Sequence, residues 1–423
     1  MGLPPPTSIF ERTGYAIGVA IASIKTEGWL KRYGISRIDH WKATLCVTCA
    51  KALRFNGSRI LHDLDETIEQ SLETCPLCAI AEFFCSLHQN NFERVTLNLV
   101  ENPGMKCRLS LRFTTGSYVK TEVIEGAKIK YSPLSSHKFS APAPSTLSSE
   151  SIGFLKQQLQ TCLKRHPECL SASNVPPSRL LQVELTANSI QDPNSTIHLV
   201  DGSAAVGGSY VTLSHCWGKA NFKQLTSTTE FELRAGLTSQ ALPKTFQDAI
   251  YVCQQLGQQY LWIDSLCIRQ DDPEDWDREA AKMHLVYANA VFNIAATGAA
   301  NSSVGLSFQR NPLAHQPFCV HTGTGGHDRW LFLPDWSDHT ILESPLNRRA
   351  WVSQERFLSN RIMHFTTAGL YWECRRSRAS DLRPTHGPLG GWFNFSSFSA
   401  LRVLLDYFSF RGKSIASLNR KES

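Results

Sequence analysis

A chain of 423 residues, 42% hydrophobic and 19% charged, has a globular composition and the length for two or three domains. Its net charge of +6 is spread along the sequence, so no basic stripe marks a specific nucleic-acid reader. Thirteen cysteines, an odd number, fit a reducing, cytoplasmic setting better than a disulfide framework.

Residues 14–24 form the one sustained apolar run near the start, too short for a membrane span. Ala20-Ile-Ala22 has the small-residue form of a cleavage site, but Glu11 and the lack of a positive excess before it favour a buried local element. Cys46-Val-Thr-Cys49 and Cys75-Pro-Leu-Cys78 are two C-x-x-C pairs separated by 25 residues, with Cys85 and His88 close behind. Two such pairs supply four thiolates, each pair wrapping one side of an ion, so a structural zinc on Cys46, Cys49, Cys75 and Cys78 is expected. Unlinked buried thiols are the alternative. A helix is expected over Asp65 to Leu72. Residues 94–124 alternate with a period of two, as in Val95-Thr-Leu97 and Leu109-Ser-Leu111-Arg-Phe113, which predicts an antiparallel meander. Residues 1–130 thus read as a cysteine-rich α+β region, and the Ser, Pro and Ala-rich stretch 131–150 as a linker.

Ser151 to Leu163 has helical periodicity and opens a helical lead-in over 151–200. It runs into Cys162-x3-His166-x2-Cys169, three metal-ligand types in eight residues. No fourth ligand is evident, and a helix end before Pro167 explains the same residues structurally.

From Tyr210 the pattern becomes strand and helix in alternation. Tyr210 to Ser214 is β-branched and follows Gly207-Gly208, a strand signal. Leu242-Pro243 starts a helix in which Phe246, Ala249, Ile250, Cys253 and Leu256 recur at helical spacing, and Gly257 stops it. Tyr260 to Asp264 is a second strand, apolar almost throughout, as when helices cover both sheet faces. Asp272 is the expected N-cap of the next helix, with Pro273 in its first position and Asp275 completing a capping box. Trp276, Ala280, Met283 and Tyr287 form the expected buried stripe, with Glu279 on its border. Val291 to Ala296 is a third strand. Strand, helix, strand, helix, strand predicts a parallel sheet with right-handed crossovers, and ligands then bind outside the carboxyl ends of its strands. Those ends are Ser214 to Trp217, Asp264-Ser265 and Thr297-Gly298. A carboxylate ending a buried strand, as Asp264 does, needs a partner: a backbone cap or a ligand hydroxyl. His215 and Cys216, if both lie in a strand, point to opposite faces and form no nucleophile–base pair. Glu355 and Arg356 read as an internal ion pair.

Tyr-Val-Thr-Leu-Ser214-His-Cys-Trp217-Gly, Leu-Pro-Lys-Thr-Phe-Gln-Asp-Ala-Ile, Tyr-Leu-Trp-Ile-Asp264-Ser-Leu-Cys-Ile-Arg-Gln-Asp-Asp and Asp-Trp276-Asp-Arg-Glu279 occur in that order. With Arg349-Ala-Trp351 to His364 and Tyr371-Trp372-Glu373-Cys374, these blocks resemble the heterokaryon incompatibility (HET) domain of filamentous fungi, over roughly residues 180 to 382. Ala350 stands where the family usually has glycine, and after Pro388 the family's continuation is not visible, which implies an atypical or truncated tail over 383–423. The domain proper is expected over 201–382.

The resemblance implies nonself recognition and programmed cell death, and a fold distantly similar to TIR domains. The expected class is therefore α/β: a TIR-like, flavodoxin-like parallel sheet with the N-terminal α+β region and a C-terminal β-containing extension. Some TIR domains hydrolyse NAD with a glutamate in a W-x-x-E context on a helix, and Trp276-Asp-Arg-Glu279 has that form. On this reading Glu279 is the catalytic residue, and Asp264, Trp217, Ser214 and Trp276 bind NAD, the substrate. The alternative is a nonenzymatic module that signals through self-association or a protein partner. A third reading is a zinc-bearing regulatory or nucleic-acid protein. No phosphate loop or HExxH motif is present.

Overall fold

The computed structural model describes residues 45–53, 59–63, 71–88, 92–102, 106–128, 143–170, 175–185, 195–205, 209–219, 222–316, 318–322, 328–332 and 337–387. The apolar run at 14–24, the expected helix over 65–72 except its last two residues, residues 131–142 of the expected linker and the tail after 387 lie outside these residues, while 149 and 150 of that linker open a helix. The chain divides into two units, residues 1–144 with 310–335, and residues 145–309 with 336–423.

In the first unit the period-two segments form the expected meander, β2 (Arg94–Asn102), β3 (Lys106–Thr115) and β4 (Tyr118–Lys128), flanked by β1 (Arg59–Asp63). Val95, Leu97, Leu109, Leu111, Phe113 and Ile124 are all buried, so alternation gives the sheet one apolar face. The helix α1 (Val47–Leu53) follows Cys46. The helix α2 (Pro76–His88) follows Cys75 and buries Leu77, Ile80 and Phe84, with Phe84 tilted on Phe113 at 5.8 Å. The sheet is completed by β11 (Phe318–Thr322) and β12 (Asp328–Phe332), which pairs with β4 antiparallel.

The second unit is built on a ten-stranded mixed sheet. At its centre β7 (Val211–Ser214) pairs parallel with β9 (Tyr260–Trp262) on one side and β10 (Asn293–Ala295) on the other, and β10 pairs parallel with β13 (Arg361–Phe365). Counted along the chain these four strands lie in the order second, first, third, fourth. Every residue of β7, β10 and β13 is buried, so their polar members, Thr212, Ser214, Asn293, Arg361 and His364, find partners inside the protein. Antiparallel strands extend both edges: β5 (Arg179–Val183), β6 (Thr196–Asp201) and β8 (Leu237–Thr238) beside β9, and β14 (Leu370–Cys374), β15 (Arg378–Ser380) and β16 (Arg383–Gly387) beside β13. The fold is thus mixed α/β, with a parallel centre and antiparallel wings rather than a parallel sheet throughout.

The helices follow their sequence signals with three differences. The first, α3 (Ser149–Arg165), is capped by the Ser148 hydroxyl, which accepts from Ser151 N–H. After the short α4 (Glu230–Ala235), α5 (Lys244–Gln255) ends at Gly257, whose φ of 67° is the left-handed conformation that glycine adopts freely; Pro243 precedes this helix instead of opening it. The second strand stops at Trp262, and Asp264 opens a one-turn helix, α6 (Asp264–Cys267), because its carboxylate caps its own first turn: Oδ1 accepts from Ser265 N–H at 2.7 Å. In α7 (Pro273–Asn289) Asp272 accepts from Glu274 and Asp275 N–H, as expected of an N-cap, but Asp275 does not return the bond. Its carboxylate turns inward to Arg179 instead, so the most buried side of α7 carries Asp275 and Glu279 with Val286 and Tyr287, while Trp276 and Met283 are half-buried. The remaining helices are α8 (Ser337–Leu342) and α9 (Ala350–Leu358). No helix among the described residues is long and apolar enough to cross a membrane.

Candidate functional site

The carboxyl ends of β7, β9 and β10 meet where the strand order reverses, and one group of polar side chains of the second unit lies there. Asn293 of β10 bridges to β7: its Oδ1 accepts from Thr212 Oγ1 at 3.0 Å and its Nδ2 donates to Ser214 Oγ at 2.9 Å. Beyond Ser214 the chain leaves the sheet, so His215 and Cys216 follow the strand, and both are buried. The His215 ring meets Phe246 edge-on at 4.8 Å and stacks on Trp217, its Nδ1 lies 3.9 Å from Asp264 Oδ1, and its carbonyl accepts from Arg349. Trp217 Nε1 donates to Asp264 Oδ2 at 3.1 Å. The turn after Trp217 needs glycine: Gly218 has φ of 74°, and a Cβ there would meet Asn301 Cβ at 2.3 Å. Gly218→Ala is expected to lower stability by about 1–3 kcal/mol, the sum of left-handed strain and the displaced loop, measurable by urea denaturation.

Beneath this edge lie two groups whose role the sequence concealed. Glu355 of α9 and Tyr287 of α7 are buried with their polar ends near Ser214. Burial pushes the Glu355 carboxyl above its usual range, opposed by the Ser214 hydroxyl and the Arg349 charge, and burial likewise pushes the Tyr287 phenol far up. Glu355 does not pair with Arg356, as the sequence suggested. Arg356 instead donates to Glu373 Oε2 at 2.8 and 3.0 Å, and Glu373 also receives Arg378 at 2.9 Å and faces His364 Nε2 at 3.3 Å. The legible signal was helical spacing: Val352 and Glu355 of α9 and its C-cap Ser359 recur at helical intervals and are all buried, and a glutamate on such a face has no solvent of its own.

Glu279 stands apart from these groups. The register Leu181↔Leu261 sets the start of β5 at the carboxyl end of β9, and there Ser178 Oγ donates to Glu279 Oε1 at 2.7 Å. Lys282 Nζ lies 3.3 Å from the same oxygen. One turn earlier, fully buried Asp275 pairs with Arg179 and Arg278 and accepts Arg269 N–H at 3.0 Å, while Arg179 Nη1 also donates to the Cys267 carbonyl at 2.7 Å. The structure therefore brings Trp217 onto Asp264. No described hydrogen bond or ion pair joins Glu279 to Asp264, Trp217 or Ser214, and Trp276 packs on the apolar core without one to Asp264 or Glu279.

Because His215 is buried, its pKa is pushed down to about 4, against the opposing pull of Asp264. In the unfolded chain it titrates near 6.5, so on acidification the unfolded state takes up the proton first. The stability this group contributes is complete above roughly pH 6.5 and lost as pH falls toward 4, amounting to about 3 kcal/mol. Urea denaturation at pH 7 and pH 4 should show that component in the wild type and lack it in His215→Phe; equal pH dependence in both would contradict it.

Among the described residues, two clusters of metal-ligand side chains are present. In the first unit Cys46, Cys49, Cys75 and Cys78 converge, with Cys78 Sγ 3.7 Å from both Cys46 Sγ and Cys49 Sγ, and Cys49 N–H donates to Cys46 Sγ. Tetrahedral zinc–thiolate geometry places ligand sulfurs about 3.7 Å apart, so this set fits a metal ion. In the second unit Cys162, His166 and Cys169 are joined by a fourth ligand that the sequence did not reveal, Cys374 of β14.

A search of curated proteins and a search of solved structures returned no match. Residues 210–355, which span β7 through Glu355, match the family model described as Heterokaryon incompatibility protein (HET), and the chain carries a heterokaryon incompatibility domain over that stretch.

Proposed function

We propose that the chain acts in heterokaryon incompatibility in a filamentous fungus, promoting programmed cell death through TIR-like hydrolysis of NAD in the cytoplasm. The observation that carries this reading is the second-first-third-fourth order of the parallel strands. It is the order of flavodoxin-like sheets, whose ligands lie outside the carboxyl ends where the order reverses. Ser214, His215, Trp217, Asp264 and Thr297 stand at that edge. On this reading Glu279, held by Ser178 just before β5, reaches the same ligand from beside β9.

In the reaction water adds to the ribose carbon as its bond to nicotinamide breaks, giving ADP-ribose, nicotinamide and a proton. Glu279 stabilises the positive charge that develops on the ribose or holds the ribose diol, in a setting where burial strengthens the attraction. Asp264, fixed by Trp217, shapes the ribose side of the site, with Ser214 and Trp276 as further lining. Lys282, about half exposed at 47%, swings off Glu279 to admit substrate. A structural zinc on Cys46, Cys49, Cys75 and Cys78 holds the ends of α1 and α2 together in the first unit.

A nonenzymatic module that self-associates or binds a protein partner is the second reading. It is favoured by Glu279 already having Ser178 and Lys282 as partners. Expression of wild type and Glu279→Gln in a filamentous fungus separates the two. The enzyme reading expects death from the wild type alone, and the module expects it from both.

A further inference from the structure

Cys162 lies in the last turn of α3, and His166 terminates that helix, its N–H bonded back to the Cys162 carbonyl at 3.0 Å. A single 3-10 turn, Pro167–Cys169, then returns the chain so that Cys169 faces the same point; all three cysteines in the cluster are buried. This much is local and follows from the helix stop before Pro167. The fourth member comes from the sheet. Cys374 ends β14, beside the turn that bonds Cys374 N–H to the Ser377 carbonyl, and its Sγ lies 3.5 Å from His166 Nδ1. The four ligand atoms all lie within 4.8 Å of one another.

We infer that Cys162, His166, Cys169 and Cys374 hold a second, structural zinc ion that clips the end of α3 to the antiparallel wing of the HET-domain sheet. Two observations support it independently of the ligand count. The first is the spacing: bonds of about 2.3 Å to sulfur and 2.05 Å to nitrogen at the tetrahedral angle separate a sulfur and a nitrogen ligand by about 3.5 Å, which is the distance from Cys374 to His166. The second is Arg361. Its guanidinium is buried, 2% exposed, with no carboxylate among the described ion pairs, and its Nε donates to Cys162 Sγ at 3.2 Å. A buried cation is costly without an anion beside it. Three thiolates and a neutral imidazole on Zn²⁺ leave one net negative charge, the partner that Arg361 needs. Ser377 N–H also donates to Cys374 Sγ at 3.3 Å, the kind of outer bond that orients a ligating thiolate. Zinc binding releases the three thiol protons, and all coordination positions are filled by protein, so the ion has a structural role and no open position for catalysis.

The zinc content of the full chain, purified and dialysed against a weak chelator, tests the inference by metal mass spectrometry. Two zinc ions per chain are expected for the wild type, one for Cys374→Ser and one for Cys46→Ser/Cys49→Ser. His166→Cys, which replaces one ligand with another, is expected to keep both. Arg361→Gln is expected to weaken the second site by roughly 10- to 100-fold. A wild type without zinc, a Cys374→Ser protein with the wild-type content, or a Cys46→Ser/Cys49→Ser protein without zinc would each overturn it. The wild-type count stands even where a variant fails to fold, and all of these readings are independent of NAD turnover.

Discussion

Asp275→Ala is expected to destabilise the second unit by about 3–5 kcal/mol, the effect of breaking a buried ion pair from one side. Asp275 has no exposed surface, and Arg179, with which it pairs, is itself buried. Arg269 N–H and Arg278 also depend on it, and together these partners hold its carboxyl below the usual carboxylate range despite burial. Without it, Arg179 keeps only the Cys267 carbonyl and becomes an uncompensated buried charge. For a unit of this size the loss corresponds to a melting temperature lower by roughly 10 °C. Removing both charges, as in Asp275→Ala/Arg179→Leu, should recover part of the loss, since two apolar groups leave no orphaned ion. A single variant within 2 °C of the wild type, a small shift on the scale of about 2–4 °C per kcal/mol, would show that the pair does not fix α7 to β5.

Much of this arrangement is legible in sequence where the signal is local. Asp272 and Pro273 mark the start of α7, Gly257 the end of α5, the apolar runs mark the central strands, and the period-two stretches mark the meander. The cysteine pairs at 46–49 and 75–78 carry their own spacing. What stayed hidden is long-range. Cys374 lies 205 residues after Cys169 (374 − 169), and nothing in the intervening sequence encodes that meeting. The strand β12 carries no mark of pairing with β4, because a sheet edge is chosen by tertiary packing, not by period. Asp275 looked like half of a capping box, yet its carboxylate turns to buried Arg179 and to Arg269 N–H and makes no bond back to the N-cap. Glu355 looked like the partner of its neighbour Arg356, but adjacent helical residues do not face each other, and Arg356 reaches β14 instead.

Glu279→Gln is expected to leave the fold intact and to remove turnover. The amide oxygen introduced by this substitution still accepts the Ser178 hydroxyl, so the loss in stability stays small, while the negative charge to which the proposed reaction assigns the ribose cation is gone. Loss of one such group lowers a rate by about 10²–10⁴-fold. Asp264→Asn should cost stability as well, because Trp217 Nε1 and Ser265 N–H donate to different carboxylate oxygens and the amide keeps only one acceptor. The most direct measurement is NAD consumption with nicotinamide release by purified protein, wild type beside Glu279→Gln, at high protein concentration and with equal melting temperatures confirmed. Release of nicotinamide by the wild type, lowered at least a hundredfold in the variant, is the result the enzyme reading predicts. Equal release by both proteins, or none from the folded wild type, would contradict it.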